Sequence, residues 1–283
     1  MKGKKNMKLK YLGTAAAEGW PAVFCNCDYC NKARERGGKS IRTRSQAMVN
    51  DDMLIDFPAD TYHHALVNNL NLSKIKHTLI THTHSDHFIP VDLAFRGICF
   101  AHNLISEKIT FIGNEAMNSL LKEQYLKSMY KEVADKIESV YLPLFKPTQF
   151  GDYTITALHA NHKTDEIAYV YVIQKDNKTM LYLHDTGFLA PENHEYLKNS
   201  GIIIDLISYD CTFVLGRDGN GHLGLPDCIE LREQLFVDGI VSKKTVHVIN
   251  HFSHNGGTLH EELEAEAAKS GFLTSYDCME IEI

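Results

Sequence analysis

The sequence predicts an α/β protein in which two β-sheets pack against each other with helices outside. Its 283 residues suffice for one large domain with a well-buried core, and we expect a single domain over residues 1–283. Two successive runs of apolar, strand-like segments have helical segments between them, which favours a sandwich of sheets. No glycine-rich dinucleotide motif or phosphate-binding loop follows a strand, which disfavours a Rossmann-type sheet.

The N-terminal half contains the first run of strands. Residues 1–7 are basic but lack the apolar stretch of a signal peptide, and we predict a disordered tail. A loop rich in glycine and cysteine is expected to about residue 39. Apolar residues at three- to four-residue steps predict a long amphipathic helix over 114–137. Strands are predicted at 9–12, 45–50, 53–57, 77–81 and 108–112, and helical segments at 61–70 and 90–100.

The second half repeats the alternation of strands and helices. Apolar and β-branched runs predict the strands, and three- to four-residue apolar spacing predicts the helices. Strands are expected at 153–158, 168–174, 180–184, 202–208, 245–250 and 280–283, and helices at 193–200, 227–236 and 259–270.

One six-residue stretch holds three histidines and a carboxylate directly after the strand expected at 77–81. On a strand-like backbone His82 and His84 project to the same side, while Asp86 and His87 follow the turn. Imidazoles and a carboxylate are ligands that zinc, manganese or iron accept. A solvated polar loop is the alternative, but four ligand-type residues at this spacing favour a metal site.

Three further ligand-type side chains, His162, Asp185 and His251, each follow the end of an apolar strand. His159 and His184 are their competitors. A one-residue step along a strand turns the side chain to the opposite face, so His184 and Asp185 cannot both point inward. His184 is therefore interpreted as a core or supporting histidine. His159 and His162 differ by three residues, and periodicity does not separate them.

Three cysteines, Cys25, Cys27 and Cys30, lie within six residues. Their thiols fit a closed structural zinc site that lacks one ligand. Buried unreactive cysteines are the alternative, which the polar flanking residues disfavour. His254 is a spare histidine three residues beyond His251. The other cysteines lie in apolar surroundings and are expected in the core: Cys99, Cys211, Cys228 and Cys278.

The His-x-His-x-Asp-His stretch, followed by distant His, Asp and His residues, resembles the metallo-β-lactamase superfamily over essentially residues 11–276. The resemblance implies a four-layer αββα sandwich and a dinuclear metal site. One metal would be held by His82, His84 and His162, the second by Asp86, His87 and His251, and Asp185 would bridge both. The metals would be zinc, or manganese, iron or nickel.

The Cys-x-Cys-x-x-Cys loop with its downstream histidine is similar to the PhnP-type phosphodiesterases and, more loosely, to the PqqB family. That resemblance implies a structural zinc held by Cys25, Cys27, Cys30 and His254. A PqqB-like role is disfavoured, because that family has an altered metal cluster and the cluster here is intact.

Two metals about 3.5–4 Å apart can share a bridging hydroxide and stabilise the entering and leaving oxygens of a phosphodiester. Asp86 and His222 are the candidate catalytic residues. His222 lies in the glycine-rich loop 219–225, and related phosphodiesterases place a histidine from this region on the phosphate. It would supply the proton that a leaving alkoxide needs. An exposed loop histidine is the alternative.

The expected activity is therefore hydrolysis of a small phosphodiester, cyclic ones included. A thioester or lactone hydrolase, a tRNA 3′-processing nuclease and, outside enzymes, a non-catalytic metal-binding domain are the alternatives. A net charge of −7 argues against a nucleic-acid partner, and no apolar run approaches the length of a membrane span. Cytoplasmic residence is the default. The resemblance also implies a homodimer, for which the sequence gives no interface signature.

Overall fold

The computed structural model describes residues 6–283 and contains two mixed β-sheets of seven strands each. The strands are β1 (Lys8–Gly13), β2 (Gln46–Val49), β3 (Met53–Ile55), β4 (His77–Leu79), β5 (Ile109–Gly113), β6 (Ile137–Tyr141), β7 (Thr148–Phe150), β8 (Tyr153–His159), β9 (Tyr169–Lys175), β10 (Lys178–Leu183), β11 (Ile204–Asp210), β12 (Val241–Asn250), β13 (Leu273–Thr274) and β14 (Glu280–Glu282). The α-helices are α1 (Asp28–Arg36), α2 (Thr61–Val67), α3 (Glu115–Leu120), α4 (Lys131–Ala134), α5 (Pro191–Ser200), α6 (Leu225–Val237) and α7 (His260–Lys269).

The strand order is β14-β1-β2-β3-β4-β5-β6 in the first sheet and β13-β12-β11-β10-β9-β8-β7 in the second. In each sheet one half is antiparallel and the other parallel. Strands β3 to β6 run parallel in the first sheet, and β10 to β13 in the second. Parallel neighbours bring their carboxyl ends to one edge of a sheet. The predicted ligands follow β4, β10 and β12 at these edges.

The hydrophobic core lies in three parts. Between the sheets, Tyr11, Val49 and Ile112 of the first sheet share one apolar cluster with Tyr171 and Tyr182 of the second. Helices α1, α5, α6 and α7 contribute to a cluster on the second sheet, and α3 and α4 to one on the first. Burial of these apolar faces is the main stabilising term. The four layers confirm the predicted αββα sandwich.

Every predicted strand is present, with ends shifted by a few residues. The predicted helix over 114–137 was wrong. The chain instead forms α3, a π-helical segment at Leu121–Tyr125, a 3-10 turn at Leu126–Ser128, and α4. Extended backbone at Met129 separates the 3-10 turn from α4. Residues 137–141 then pair with β5 as strand β6. Apolar spacing shows which side chains face the core, and short helical turns satisfy it as well as one long helix.

Some elements were not predicted. Helix α1 lies inside the expected cysteine-rich loop, and only Cys30 and Ala33 of its nine residues are buried, so its apolar periodicity is weak. Strands β7 and β13 have three and two residues and lie at the outer edges of the second sheet. Such short edge strands carry little pattern. None of the described helices is long and apolar enough to cross a membrane.

Two further expectations need correction. Residues 1–5 of the predicted tail lie outside the described residues, but Met7 is 2% exposed and exchanges backbone hydrogen bonds of 3.0 and 2.9 Å with Ile283. Met7 therefore belongs to the sheet rather than to a tail. Of the cysteines expected in the core, two are buried (Cys211 and Cys228) and two are exposed (Cys99 and Cys278).

Candidate metal centre

Strand ends of both sheets bring the predicted ligands together. The loop from His82 to His87 follows β4 of the first sheet. His162 follows β8, Asp185 follows β10, and His251 directly follows β12 of the second sheet. Because β10, β11 and β12 are parallel neighbours in register, Asp185 and His251 leave the same edge.

Three of the residues at these strand ends adopt left-handed backbone conformations. The φ angles are 66° at Asp56, 48° at Asp185 and 64° at His251. Such conformations in residues other than glycine cost of order 1–3 kcal/mol each and persist where the surroundings over-determine them. All three side chains are buried, so the surrounding protein fixes their directions.

The first ligand group consists of His82, His84 and His162. Nδ1 of His84 lies 2.8 Å from Nε2 of His82 and 3.2 Å from Nε2 of His162. The opposite nitrogens are held by the surrounding protein, since Nδ1 of His82 lies 3.0 Å from Thr81 Oγ1 and Nδ1 of His162 lies 3.3 Å from the Gly221 carbonyl. Three lone pairs can therefore converge on one point.

The second group consists of Asp86, His87, Asp185 and His251. Nε2 of His87 lies 3.1 Å from Asp86 Oδ2 and 2.5 Å from Asp185 Oδ2. Asp185 Oδ1 lies 3.3 Å from Nε2 of His251, and Asp185 Oδ2 lies 3.6 Å from Nε2 of His82. The Asp185 carboxylate thus lies between the two groups.

The donor set fits divalent metals. Nε2 of His87 and Nε2 of His251 are buried and make no hydrogen bond, although both lie beside Asp185 oxygens. Nδ1 of His87 donates to Asp56 Oδ2 at 2.7 Å, so Nε2 faces the cluster and would offer its lone pair once a metal displaced its proton. A carboxylate that orients a histidine in this way is common at metal sites. Buried nitrogens that lack a hydrogen bond and lie beside a carboxylate are expected where these side chains bind one cation.

The electrostatics of the cluster also favour a cation. Burial alone would lower the pKa of His87, but the carboxylates of Asp185, Asp86 and Asp56 hold it well above its usual range. Burial alone would raise the pKa of Asp185, yet His251 and His87 hold it well below its usual range. The carboxylates therefore remain charged, and their negative potential suits divalent metals in a buried site.

His222, the candidate proton donor, lies at the edge of the cluster. Its Nδ1 is 3.1 Å from Asp210 Oδ2 and 3.4 Å from Asp185 Oδ1, and its ring packs against that of His162 at 4.9 Å. Burial alone would lower the pKa of His222, but Asp210 and Asp185 raise it to about 9. Its Nε2 makes no hydrogen bond within residues 6–283.

Asp210 is a site residue that the sequence analysis missed. It is fully buried at the end of β11, and it accepts hydrogen bonds from the backbone amides of Asp185, Thr212 and Leu223 at 3.0 Å each. Together with Asp185, His222 and His251 it forms a further group with metal-ligand geometry. Its position at a strand end, the criterion that selected Asp185, is the signal that could have found it.

The two competing histidines lie elsewhere. His184 is fully buried, and its Nε2 lies 2.7 Å from Ser208 Oγ, away from Asp185. His159 keeps 41% of its side chain exposed and lies 3.7 Å from Glu192. Neither belongs to a ligand group.

The three cysteines of the N-terminal loop meet His254 in a separate group. The His254 Nδ1 atom is 3.5 Å from Cys27 Sγ and 3.8 Å from Cys25 Sγ. Backbone amides donate to all three sulfurs, and the hydrogen bond from Cys30 contributes most to lowering the pKa of Cys27 to about 6. This environment stabilises the Cys27 thiolate, the form that binds zinc, whereas burial raises the pKa of Cys30 to about 11.

Solved structures with the same fold cover nearly the whole chain. A diphosphatase of the PhnP family has a TM-score of 0.76 at 21% identity, over 99% of this chain and 98% of that one. Zinc-bound PqqB from Methylobacterium extorquens has 0.67 at 14% identity, over 98% and 100%. The short form of human tRNase Z has 0.64 at 16% identity, over 97% and 98%. No curated protein sequence matches the chain.

These neighbours and the two-sheet sandwich with its histidine and aspartate cluster define a protein of the metallo-β-lactamase fold. A family model described as anti-Pycsar protein Apyc1 matches residues 45–237, which is more than half of the chain. The chain belongs to that family.

Proposed function

We propose that this protein is a metal-dependent phosphodiesterase that hydrolyses a small phosphodiester, cyclic ones included. The main support is the Asp185 carboxylate between two groups of ligand-type side chains, with the His222–Asp210 pair beside it. A diphosphatase and a tRNase among the proteins of similar fold are consistent with chemistry at phosphorus.

The proposed site would hold two divalent metals, zinc or else manganese, iron or nickel, and the cysteine group one structural zinc. When bound, the two metals supply Lewis acidity, a nucleophile at neutral pH and compensation for phosphate charge. The residues proposed for the first metal are His82, His84 and His162, those for the second are Asp86, His87 and His251, and Asp185 would bridge both.

The side chains around the metals have separate tasks. Asp56 orients His87 through the 2.7 Å hydrogen bond to its Nδ1. Asp210 lies against Nδ1 of His222 and stabilises the imidazolium form, whose Nε2–H can donate to a phosphate oxygen. The same proton can pass to the leaving alkoxide, which is general acid catalysis. We propose Asp86 as a carboxylate ligand of the second metal and, with His222, as a catalytic residue.

The substrate class is tested with purified protein whose metal content is measured by mass spectrometry. Bis-p-nitrophenyl phosphate, a cyclic nucleotide and a lactoyl thioester are offered in parallel. We expect turnover of one or both phosphodiesters, and loss of that turnover in Asp185→Asn. Hydrolysis of the thioester alone would assign the protein to the alternative class, and no turnover by a metal-loaded protein would favour a non-catalytic domain.

We further propose that the protein acts in the cytoplasm on a small molecule rather than on nucleic acid. All seven cysteines are free, and the net charge is −7. Reducing compartments keep thiols free, and a nucleic-acid partner would want a basic surface.

A further inference from the structure

A cavity of about 640 Å³ lies on the outer side of the first sheet, apart from the candidate metal centre. None of its lining residues belongs to a metal-ligand group. Its walls come from β3, helix α2, the 3-10 turns at Leu72–Lys74 and Pro90–Phe95, and the segment 101–109. Much of the lining is apolar and buried or half-buried, as at Leu54, Phe57, Leu72, Ile75, Leu93 and Ile109. A cavity of this size suits a small-molecule ligand.

One charged side chain in this lining, Arg96, is buried without a counter-ion. Arg96 is 8% exposed, and its guanidinium donates to the Ser106 carbonyl through Nη2. Its Nε is buried with no hydrogen-bond partner, and no carboxylate within residues 6–283 comes within 4.0 Å of its nitrogens. A buried guanidinium stays charged, and leaving it unpaired is costly.

The other ionisable residues of the lining do not neutralise this charge. Asp92 lies one helical turn before Arg96, yet the two form no ion pair. The other ionisable side chains of the lining are His102 and Tyr62, and neither is a carboxylate. A purely structural role for Arg96, holding the Ser106 carbonyl, would need one neutral donor and no buried cation.

Both apolar and polar side chains flank the opening of the cavity, the polar ones being Asn71, His102 and Asn103. Tyr62, Phe95 and Ile105 belong to the lining, yet they are 66%, 52% and 65% exposed, so they flank the entrance. Exposed apolar side chains grouped around a concave site often mark a binding surface. The site therefore combines apolar walls, three exposed apolar side chains at the entrance and one unpaired cation inside.

We propose that this cavity binds a small amphiphilic carboxylate, with its apolar chain along the walls and its carboxylate on Arg96. The planar guanidinium matches a carboxylate in geometry as well as in charge, since its N–H groups form a fork. The ligand supplies the counter-ion that the protein lacks. The apolar part of the ligand covers apolar side chains of the lining that are otherwise exposed to solvent.

The site is separate from the metal centre but connected to it through the backbone. Phe57, which lines the cavity, donates its amide to the His87 carbonyl at 2.7 Å and accepts from the Ile89 amide at 2.9 Å. The preceding residue, Asp56, holds Nδ1 of His87. The proposal concerns binding and does not depend on the proposed hydrolase activity.

The proposal is tested by isothermal titration calorimetry of the metal-loaded protein with decanoate and with decan-1-ol, which has the same chain and no charge. We expect saturable binding of one decanoate per chain, at least about tenfold tighter than the alcohol. In Arg96→Met the decanoate affinity should fall by about tenfold or more, while the alcohol binds as well as before. Equal decanoate affinity in the variant, or no saturable binding to the parent protein, would overturn the proposal.

Two further variants separate binding from folding. Arg36, which is exposed and paired with Glu261 and Glu262, provides the control, and Arg36→Met should bind decanoate normally. Ala101→Trp fills the cavity but keeps Arg96, so both ligands should be lost together. Light scattering is recorded in parallel. If the parent protein self-associates and binds no decanoate, this face belongs to a second copy and the proposal fails.

Discussion

At the scale of single residues, the His222–Asp210 pair is the arrangement most open to test. His222 contacts Asp185 but belongs to neither of the two groups proposed to hold the active-site metals. We expect His222→Ala to keep its metal content and to lose about 10²–10⁴-fold in kcat, the range of general acid catalysis. Turnover of bis-p-nitrophenyl phosphate and metal analysis provide the two measurements.

The matched control for this variant is His159→Ala, because His159 is a half-exposed histidine outside the cluster. It should leave both kcat and metal content unchanged. Unchanged turnover in His222→Ala would remove the residue from the mechanism, and a loss of metal would make it a ligand instead.

A second residue-scale prediction concerns His64, which lies on the buried face of α2. Its Nδ1 lies 2.6 Å from Gln46 Oε1 and its Nε2 lies 2.7 Å from Thr43 Oγ1. Burial lowers the pKa of His64 from 6.5 to about 4. Between these values the unfolded chain binds a proton that the native protein does not, so the free energy of unfolding falls as pH drops below 6.5.

We expect this histidine to contribute about 2 kcal/mol to the loss of stability between pH 7.5 and pH 5. Urea unfolding of the parent protein and of His64→Gln gives the free energy of unfolding at both pH values. The contribution of His64 is the difference between the two proteins in how much this free energy changes with pH. His247, whose pKa burial also lowers to about 4, remains in both proteins and cancels. Identical pH dependence in the two proteins would contradict the assignment.

At the scale of elements, the cysteine group fixes the start of α1 against the turn that follows β12. Cys27 caps the helix, since its sulfur accepts from the amide of Cys30, and His254 lies only three residues beyond His251. One short segment thus carries ligands of both proposed metal sites. The N-terminal loop is held beside the metal centre by this group.

Cys25→Ser should therefore remove one zinc per chain and lower the melting temperature by several degrees, because a structural zinc contributes folding energy. The active-site metals should remain. Mass spectrometry of the native protein and a thermal melt give the two readouts, with Cys99→Ser, an exposed cysteine outside the group, as control. A zinc content equal to that of the parent protein would refute the site.

Sequence analysis selected by residue type the ligand-type side chains that the structure brings together, and their role as ligands stays a prediction. A run of histidines and aspartates at a strand end identifies candidate ligands, because few other structures need those side chains there. Sequence analysis failed for carboxylates whose role depends on which residues they contact. Asp56 and Asp210 were missed, and so was Glu166, which accepts from the Thr83 amide and from Asn114 Nδ2 at 2.8 Å each. Such contacts join distant segments and leave no local pattern.

At the scale of the whole molecule, the candidate metal centre lies across the two sheets. The first sheet supplies the loop from His82 to His87, and the second supplies His162, Asp185 and His251. Metals bound here would cross-link both halves of the sandwich and neutralise buried carboxylates. Chelation should therefore lower the melting temperature of the whole protein and not merely loosen one loop.

We expect EDTA to lower the melting temperature by on the order of 10 °C relative to the zinc-loaded protein, since tight ligands contribute a few kcal/mol by mass action. Calorimetric scans with and without EDTA measure the shift, and added zinc should reverse it. Cys25→Ser separates the sites. If EDTA still lowers the melting temperature of Cys25→Ser by most of this amount, the active-site metals link the sheets. If EDTA no longer changes it, the entire stabilisation lies at the cysteine group.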